Sequence, residues 1–240
     1  MSGGTTKSRR WKLVLGTAAV MALGALGALG AAPIAASATT TSGVPHSALG
    51  AGEPAKAGTA MAAVRQTNGN QDVYYVGADG NIYAWFWDGH WHNAPLGTGE
   101  PAKTGTGMAA VLQTNGNQDV YYVGADGNIN AWFWDGHHWS NGPLSGGEPA
   151  KAGTRIAAVL QTNGNQDVYY VGADNNINAW FWDGHHWSNG PLSGGELAKT
   201  GTGMAAVLAP SNGNQDLYYV GANSGIYAWY WNGHWNNGPL

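Results

Sequence analysis

Asp72 to Ala78 (DVYYVGA) and Ile82 to Trp87 (IYAWFW) are almost wholly apolar and rich in β-branched and aromatic residues. Such runs read as strands. Met61 to Gln66 before them and Trp91 to Leu96 after them are shorter stretches that read the same way. The breaks fall at Thr67-Asn68-Gly69-Asn70, Asp79-Gly80 and Asp88-Gly89. Asn-Gly and Asp-Gly predict tight hairpins of the primed turn type. No window carries the 3.6-residue apolar period of an amphipathic helix. The strands also lack a polar side: Val73 and Tyr75 alternate with Tyr74 and Val76, and Tyr83, Trp85 and Trp87 with Ala84 and Phe86. A sheet apolar on both faces needs a neighbour on each.

The pattern recurs along the chain. Gly52-Glu53-Pro54-Ala55-Lys56 returns at Gly99, at Gly147 and, with Leu197 for Pro, at Gly195, at spacings of 47, 48 and 48 residues. Length differences fall in turns, at His137-His138, His185-His186 and Ala209 to Asn212, where they leave strand register intact. Each unit reads as a four-stranded antiparallel meander. A repeat of about 40–50 residues built this way is the unit of a propeller blade. The expected fold is all-β: a β-propeller of four tandem four-stranded blades, residues 52–98, 99–146, 147–194 and 195–240. Two alternatives stay open, a four-bladed ring closed by one chain and a larger ring completed by a second chain as a homodimer. Residues 39–51 read as a linker or a closing strand, because His46-Ser47-Ala48-Leu49 loosely echoes the Asn-Gly-Pro-Leu that ends later repeats.

Residues 1–38 differ from the rest. Lys7, Arg9, Arg10 and Lys12 precede an apolar run from Leu13 to Leu29, then Pro33 and Ala36-Ser37-Ala38. This is the order of a secretory signal peptide with its cleavage site, so a secreted protein is expected, with no stable membrane span after cleavage. Arg9-Arg10 also fits the twin-arginine export route. The mature part keeps six of the ten basic residues and all fourteen acidic ones, a net charge of −8. Without a basic patch, nucleic acid is an unsuitable partner. There is no cysteine, which excludes disulfides, thiolate metal sites and a cysteine nucleophile.

The remaining chemistry points to binding rather than catalysis. Every carboxylate recurs from repeat to repeat. A hydrolase needs two carboxyls in different environments, and near-identical repeats predict like environments, so no enzyme is expected. Asp72, Asp119, Asp167 and Asp216 follow the Asn-Gly-Asn-Gln turns and read as turn caps. One carboxylate per turn is too few for calcium. Adjacent histidines point to opposite faces of a strand and make a poor chelate, so neither metal nor cofactor is expected.

Tryptophan, at 13 residues, changes the picture most. Trp85, Trp132, Trp180 and Trp229 lie mid-strand and read as core between blades. Trp87 and Trp91 flank an Asp-Gly turn and should face each other, as should Trp134 and Trp139, Trp182 and Trp187, and Trp231 and Trp235. Two readings compete: staples of the outer core, and indole walls on which the C–H face of a sugar stacks while His90, His137, His185 and His234 bond its hydroxyls. Aromatic walls with a few placed polar groups are the usual make-up of a small-ligand site. Recurrence implies several equal sites, hence avidity for repeated glycans. The main rival is a non-catalytic propeller that binds another protein or serves a structural surface role.

The stretch from Gln71 to Gly89 (QDVYYVGADGNIYAWFWDG) resembles the blade of bacterial fucose-binding propeller lectins. That blade also runs from a D-V strand through a D-G turn to an aromatic strand and a W-D-G-x-x-W hairpin. The hairpin stands here as Trp87-Asp88-Gly89-His90-Trp91, as Trp134 to Trp139 and Trp182 to Trp187, each one residue longer, and as Trp231-Asn232-Gly233-His234-Trp235. The resemblance implies glycan partners, of fucose type or other cell-surface sugars, held between neighbouring blades. It also implies a seven-bladed ring, from which four repeats depart.

Overall fold

The structure, a computed structural model, describes residues 49–209 and 213–240. The segment read as a signal peptide, 1–38, and most of the 39–51 segment lie outside the described residues. Among the described residues, sixteen strands form four separate four-stranded antiparallel sheets, each a simple meander. The first blade holds β1 (Met61–Arg65), β2 (Gln71–Val76), β3 (Ile82–Trp87) and β4 (Trp91–Pro95). The second holds β5 (Met108–Leu112), β6 (Gln118–Val123), β7 (Ile129–Trp134) and β8 (Trp139–Pro143). The third holds β9 (Ile156–Leu160), β10 (Gln166–Val171), β11 (Ile177–Trp182) and β12 (Trp187–Leu192). The fourth holds β13 (Met204–Leu208), β14 (Gln215–Val220), β15 (Ile226–Trp231) and β16 (Trp235–Pro239). The first strands β1, β5, β9 and β13 touch in succession, so the blades pack face to face around their inner strands.

The turns depart from the primed geometry expected of Asn-Gly. The Gly69 amide donates to the Gln66 carbonyl at 2.9 Å, and the Gln66 amide donates to the Asn70 carbonyl at 2.8 Å. Gly69 alone adopts positive φ, +92°; Asn68 does not. This is a three-residue loop, a common turn closed by a glycine bulge. Asn68 caps it, its side-chain oxygen accepting from the Asn70 amide at 2.9 Å. The Asp79-Gly80 turn repeats the design, with Asp79 accepting from the Asn81 amide at 2.9 Å. Non-glycine residues stand at the glycine position of that turn in the later blades: Asn175 and Ser224, both at φ 69°.

The Gly-Glu-Pro-Ala-Lys segments lock each blade to the one before it. The Ala102 amide donates to the Gly80 carbonyl of the first blade at 2.9 Å, and the Lys103 amide to Val123 of the second at 2.8 Å. Asn141 on β8 accepts from the Glu100 amide at 2.9 Å and donates to the Tyr122 hydroxyl and the Ala131 carbonyl, each at 2.9 Å. Gly99 has to be glycine, because a Cβ there would lie 2.5 Å from the Trp132 ring and 2.6 Å from Asn141 Oδ1.

The cores lie between sheets, not within them. Tyr74, Val76 and Ile82 of the first blade pack with Met108, Val120, Tyr122 and Trp132 of the second. The same set recurs at the second and third junctions, around Trp180 and Trp229. Covering an aromatic of this size removes about 150–250 Å² from water, roughly 4–6 kcal/mol at about 25 cal/mol per Å². Trp132, Trp180 and Trp229 are buried as expected of a core, but Trp85 is only half-buried, with no blade before it among the described residues. At the other end, Val207, Ile226 and Tyr230 of the fourth blade are exposed. The repeats therefore do not provide like environments, contrary to expectation: the two outer faces of the array are open.

Candidate functional site

At the first junction, where the first blade meets the second, the edge opens into a cleft of about 350 Å³ lined by Gln66, Asp72, Tyr74, Ala84 and Phe86 of one blade and Gly116, Gln118, Trp134 and Trp139 of the next. That is the scale of a small-ligand pocket. Trp134 and Trp139 are cross-strand partners in the antiparallel register of β7 with β8. Their rings stand 5.5 Å apart at 45°, and both are half-buried. Trp139 meets Tyr74 of the preceding blade edge-on at 5.9 Å and 78°.

The hairpin pairs form in every blade: Trp87 with Trp91 at 5.6 Å, Trp182 with Trp187 at 5.5 Å and Trp231 with Trp235 at 5.6 Å. Trp187 packs on Tyr121 at 5.9 Å and Trp235 on Tyr169 at 6.0 Å. The second tryptophan of the hairpin is thus a staple to the preceding blade and a wall of the cleft at once. Trp91 has no such tyrosine among the described residues.

The polar floor of the cleft was not anticipated. Asp72, Asp119 and Asp167 do not cap turns; they are buried, because their strand position faces the next blade. One carboxylate oxygen of each, Oδ2, accepts from Gln66, Gln113 or Gln161 at 2.7 Å. The other, Oδ1, is buried with no protein partner in all three. Across the junction, the Tyr74 hydroxyl donates to Gln118 Oε1. Tyr121 donates likewise to Gln166 at 2.6 Å, and Gln166 Nε2 donates on to Asp119 at 2.6 Å. Tyr169 donates to Gln215. Burial raises two of the carboxyls, Asp119 above its ordinary value and Asp167 to about 6. It pushes the Tyr74, Tyr121 and Tyr169 phenols up as well, so these stay protonated donors.

The signal for this floor was present in the sequence. Gln-Asp opens an otherwise apolar strand at 71–72, 118–119, 166–167 and 215–216. A polar pair repeated at the head of a buried strand is expensive unless it has a task.

His90, His137, His185 and His234 sit in exposed hairpin tips, and His137 is not among the residues lining the first-junction cleft. In the second and third blades the tip is held by its aspartate. Asp135 accepts from the His137 and His138 amides at 2.8 Å, which holds its carboxyl far below the usual range, and Asp183 does the same. The strand asparagines are also committed to the fold: Asn93, Asn189 and Asn237 repeat the bonds of Asn141.

Aromatic walls, the Gln66, Asp72 and Gln118 side chains and a lining without lysine or arginine suit a neutral ligand with hydroxyl groups and an apolar face. Four-stranded blades packed face to face with clefts of this kind define the class, a propeller of binding type. The chain belongs to the fungal fucose-specific lectin family, whose model matches residues 56–240; its members are carbohydrate-binding proteins.

Among solved structures, the six-bladed β-propeller lectin of Aleuria aurantia is 27% identical, over 75% of this chain and 61% of that one, at a TM-score of 0.62. SapL1 lectin, solved in complex with α-methyl fucoside, is 28% identical over 75% of this chain and 62% of that one, at 0.62. BP39L lectin of Burkholderia pseudomallei shares the fold at 22% identity, over 75% and 54%, at 0.66. No curated protein matches the chain. The chain spans 54–62% of the length of these three lectins. The resemblance implied a seven-bladed ring, whereas the Aleuria lectin has six blades; the four blades expected of this chain are the four sheets observed.

Proposed function

We propose that the chain is a secreted, multivalent lectin that holds fucose-type sugars in its inter-blade clefts. The observation that carries this is the first-junction cleft, where Trp134 and Trp139 share the lining with Gln66, Asp72 and Gln118. A sugar there meets indoles that cover its C–H face and amide and carboxylate groups that bond its hydroxyls. The fucoside bound by SapL1 supports the choice of sugar class. Secretion rests on the basic, apolar and Ala36-Ser37-Ala38 order of residues 1–38.

The array's two open faces complement each other. The exposed face of the fourth blade matches the faces that receive a neighbour in the first three, and the exposed face of the first blade matches those that dock. A second copy docking head to tail repeats the internal junction. It places Trp87 and Trp91 beside Asp216 and Tyr218 and completes one further cleft per chain. The test of function is glycan-array binding of the exported protein with competition by free L-fucose. Binding to fucosylated glycans that fucose abolishes is expected. Failure to bind any glycan contradicts the proposal and favours a protein-interaction propeller.

A further inference from the structure

We propose a second, independent site: the hairpin tip of the first blade binds one divalent transition-metal ion through Asp88, His90 and His92. A ligand atom from each of the three lies within 4.8 Å of the other two. His92 Nε2 is 2.8 Å from Asp88 Oδ1, and His90 Nδ1 is 3.5 Å from the same oxygen. Ligands about 2.0–2.1 Å from a tetrahedral zinc ion stand roughly 3.3 Å apart, a separation that the two distances to Asp88 bracket, while the two imidazole nitrogens lie within 4.8 Å of each other. The fourth position falls to water.

Adjacent histidines make a poor chelate, but this blade does not rely on an adjacent pair. Its loop is one residue shorter than in the second and third blades, so its histidines are spaced i, i+2, and their rings stand 4.0 Å apart. His92 occupies the register held by Ser140, Ser188 and Asn236 in the other blades. In the fourth blade Asn236 donates to Asn232 at 2.9 Å, an amide copy of the contact between His92 and Asp88 with no imidazole. Among the described residues the set therefore exists once.

The ligands are held in place beforehand. His92 stacks on Phe86 with centroids 5.0 Å apart at 15°, and the Trp87–Trp91 pair fixes the base of the hairpin. Two imidazoles and one carboxylate select zinc and its nitrogen-preferring neighbours, copper(II) and nickel(II). They disfavour calcium, which takes six to eight oxygens. None of the three lines the inter-blade cleft, so the site stands apart from the proposed sugar binding.

The test is calorimetric titration of the full, untagged chain with zinc chloride, with calcium chloride in parallel. One zinc equivalent per chain is expected, and no calcium binding at the hairpin. His92→Ser installs the residue of the second and third blades and should weaken zinc binding by at least about tenfold with an unchanged circular dichroism spectrum. His138→Ala should leave it unaltered. His90→Ala, at an exposed tip, serves as a second variant should His92→Ser disturb the fold. A wild-type chain that binds no zinc, or binding that survives both His90→Ala and His92→Ser, overturns the proposal.

Discussion

The central and terminal blades have almost the same sequence and very different surroundings. In the second and third blades every residue of β6 and β10 is buried. In the fourth blade most of β14, the equivalent strand, is only partly covered. Met61 is 68% exposed where Met108 is 6%, and Val207 is 46% exposed where Val159 is 7%. Gln71 is exposed, while Gln118 in the same register is buried and receives the Tyr74 hydroxyl. A repeat of this kind does not own its core. Each interface is shared by two blades, and a cleft exists only where both walls are present.

The largest expected effect tests that contrast. Trp132→Ala or Trp180→Ala empties a core between two blades of one chain and should destabilise by about 3–5 kcal/mol, whereas Trp85→Ala should cost as much only where copies are docked and less on dilution to separate chains. Denaturant unfolding of the three variants over a range of protein concentration measures this. A loss at Trp85 that stays small at every concentration would mean that the first blade's outer face remains open in solution.

The next effect is electrostatic. Burial at the third junction raises Asp167 to about 6 from 3.8. The folded state then binds the proton more tightly than the unfolded chain. The favourable contribution is complete below about pH 4 and is lost as pH rises through 6, a span of roughly 3 kcal/mol at about 1.4 kcal/mol per pH unit. Thermal midpoints across pH 4 to 7 should show this slope, and Asp167→Asn should flatten it; an unchanged slope in the variant would place its origin elsewhere.

Gly99→Ala drives a Cβ against Trp132 and should destabilise by about 1–3 kcal/mol. Unaltered stability would show that the Gly-Glu-Pro-Ala-Lys segment can shift without loss. The smallest effect concerns the fourth blade's turn. Ser224→Gly relieves a positive φ and should stabilise by about 1 kcal/mol. Asn175→Gly should gain less, since asparagine tolerates that conformation. A larger gain at Asn175 would contradict the turn analysis.

Strand order, blade period and hairpin pairing were legible because apolar runs and turn residues are local signals. The cross-hairpin facing of Trp134 and Trp139 followed from spacing alone. What escaped depends on the neighbouring blade. Asp72 follows a turn in sequence and so reads as its cap, while the cap is Asn68 and the carboxylate faces the next sheet. The turn type escaped because Asn-Gly serves both a two-residue primed turn and the three-residue bulged loop found here, and only the hydrogen-bond pattern separates them. The Asp88, His90 and His92 cluster is not legible from the adjacent pairs His137-His138 and His185-His186 that recur, because the i, i+2 spacing occurs at His90 and His92.

The most direct test of the central claim is calorimetric titration of the exported chain with α-methyl-L-fucoside, comparing wild type with Trp134→Ala and Trp139→Ala. Both changes remove a wall from one junction only, and Trp134 is not the residue that staples Tyr74. The account predicts that each variant keeps its fold and the affinity of the remaining sites but binds one equivalent fewer per chain. Fucoside binding with wild-type stoichiometry in both folded variants would contradict it.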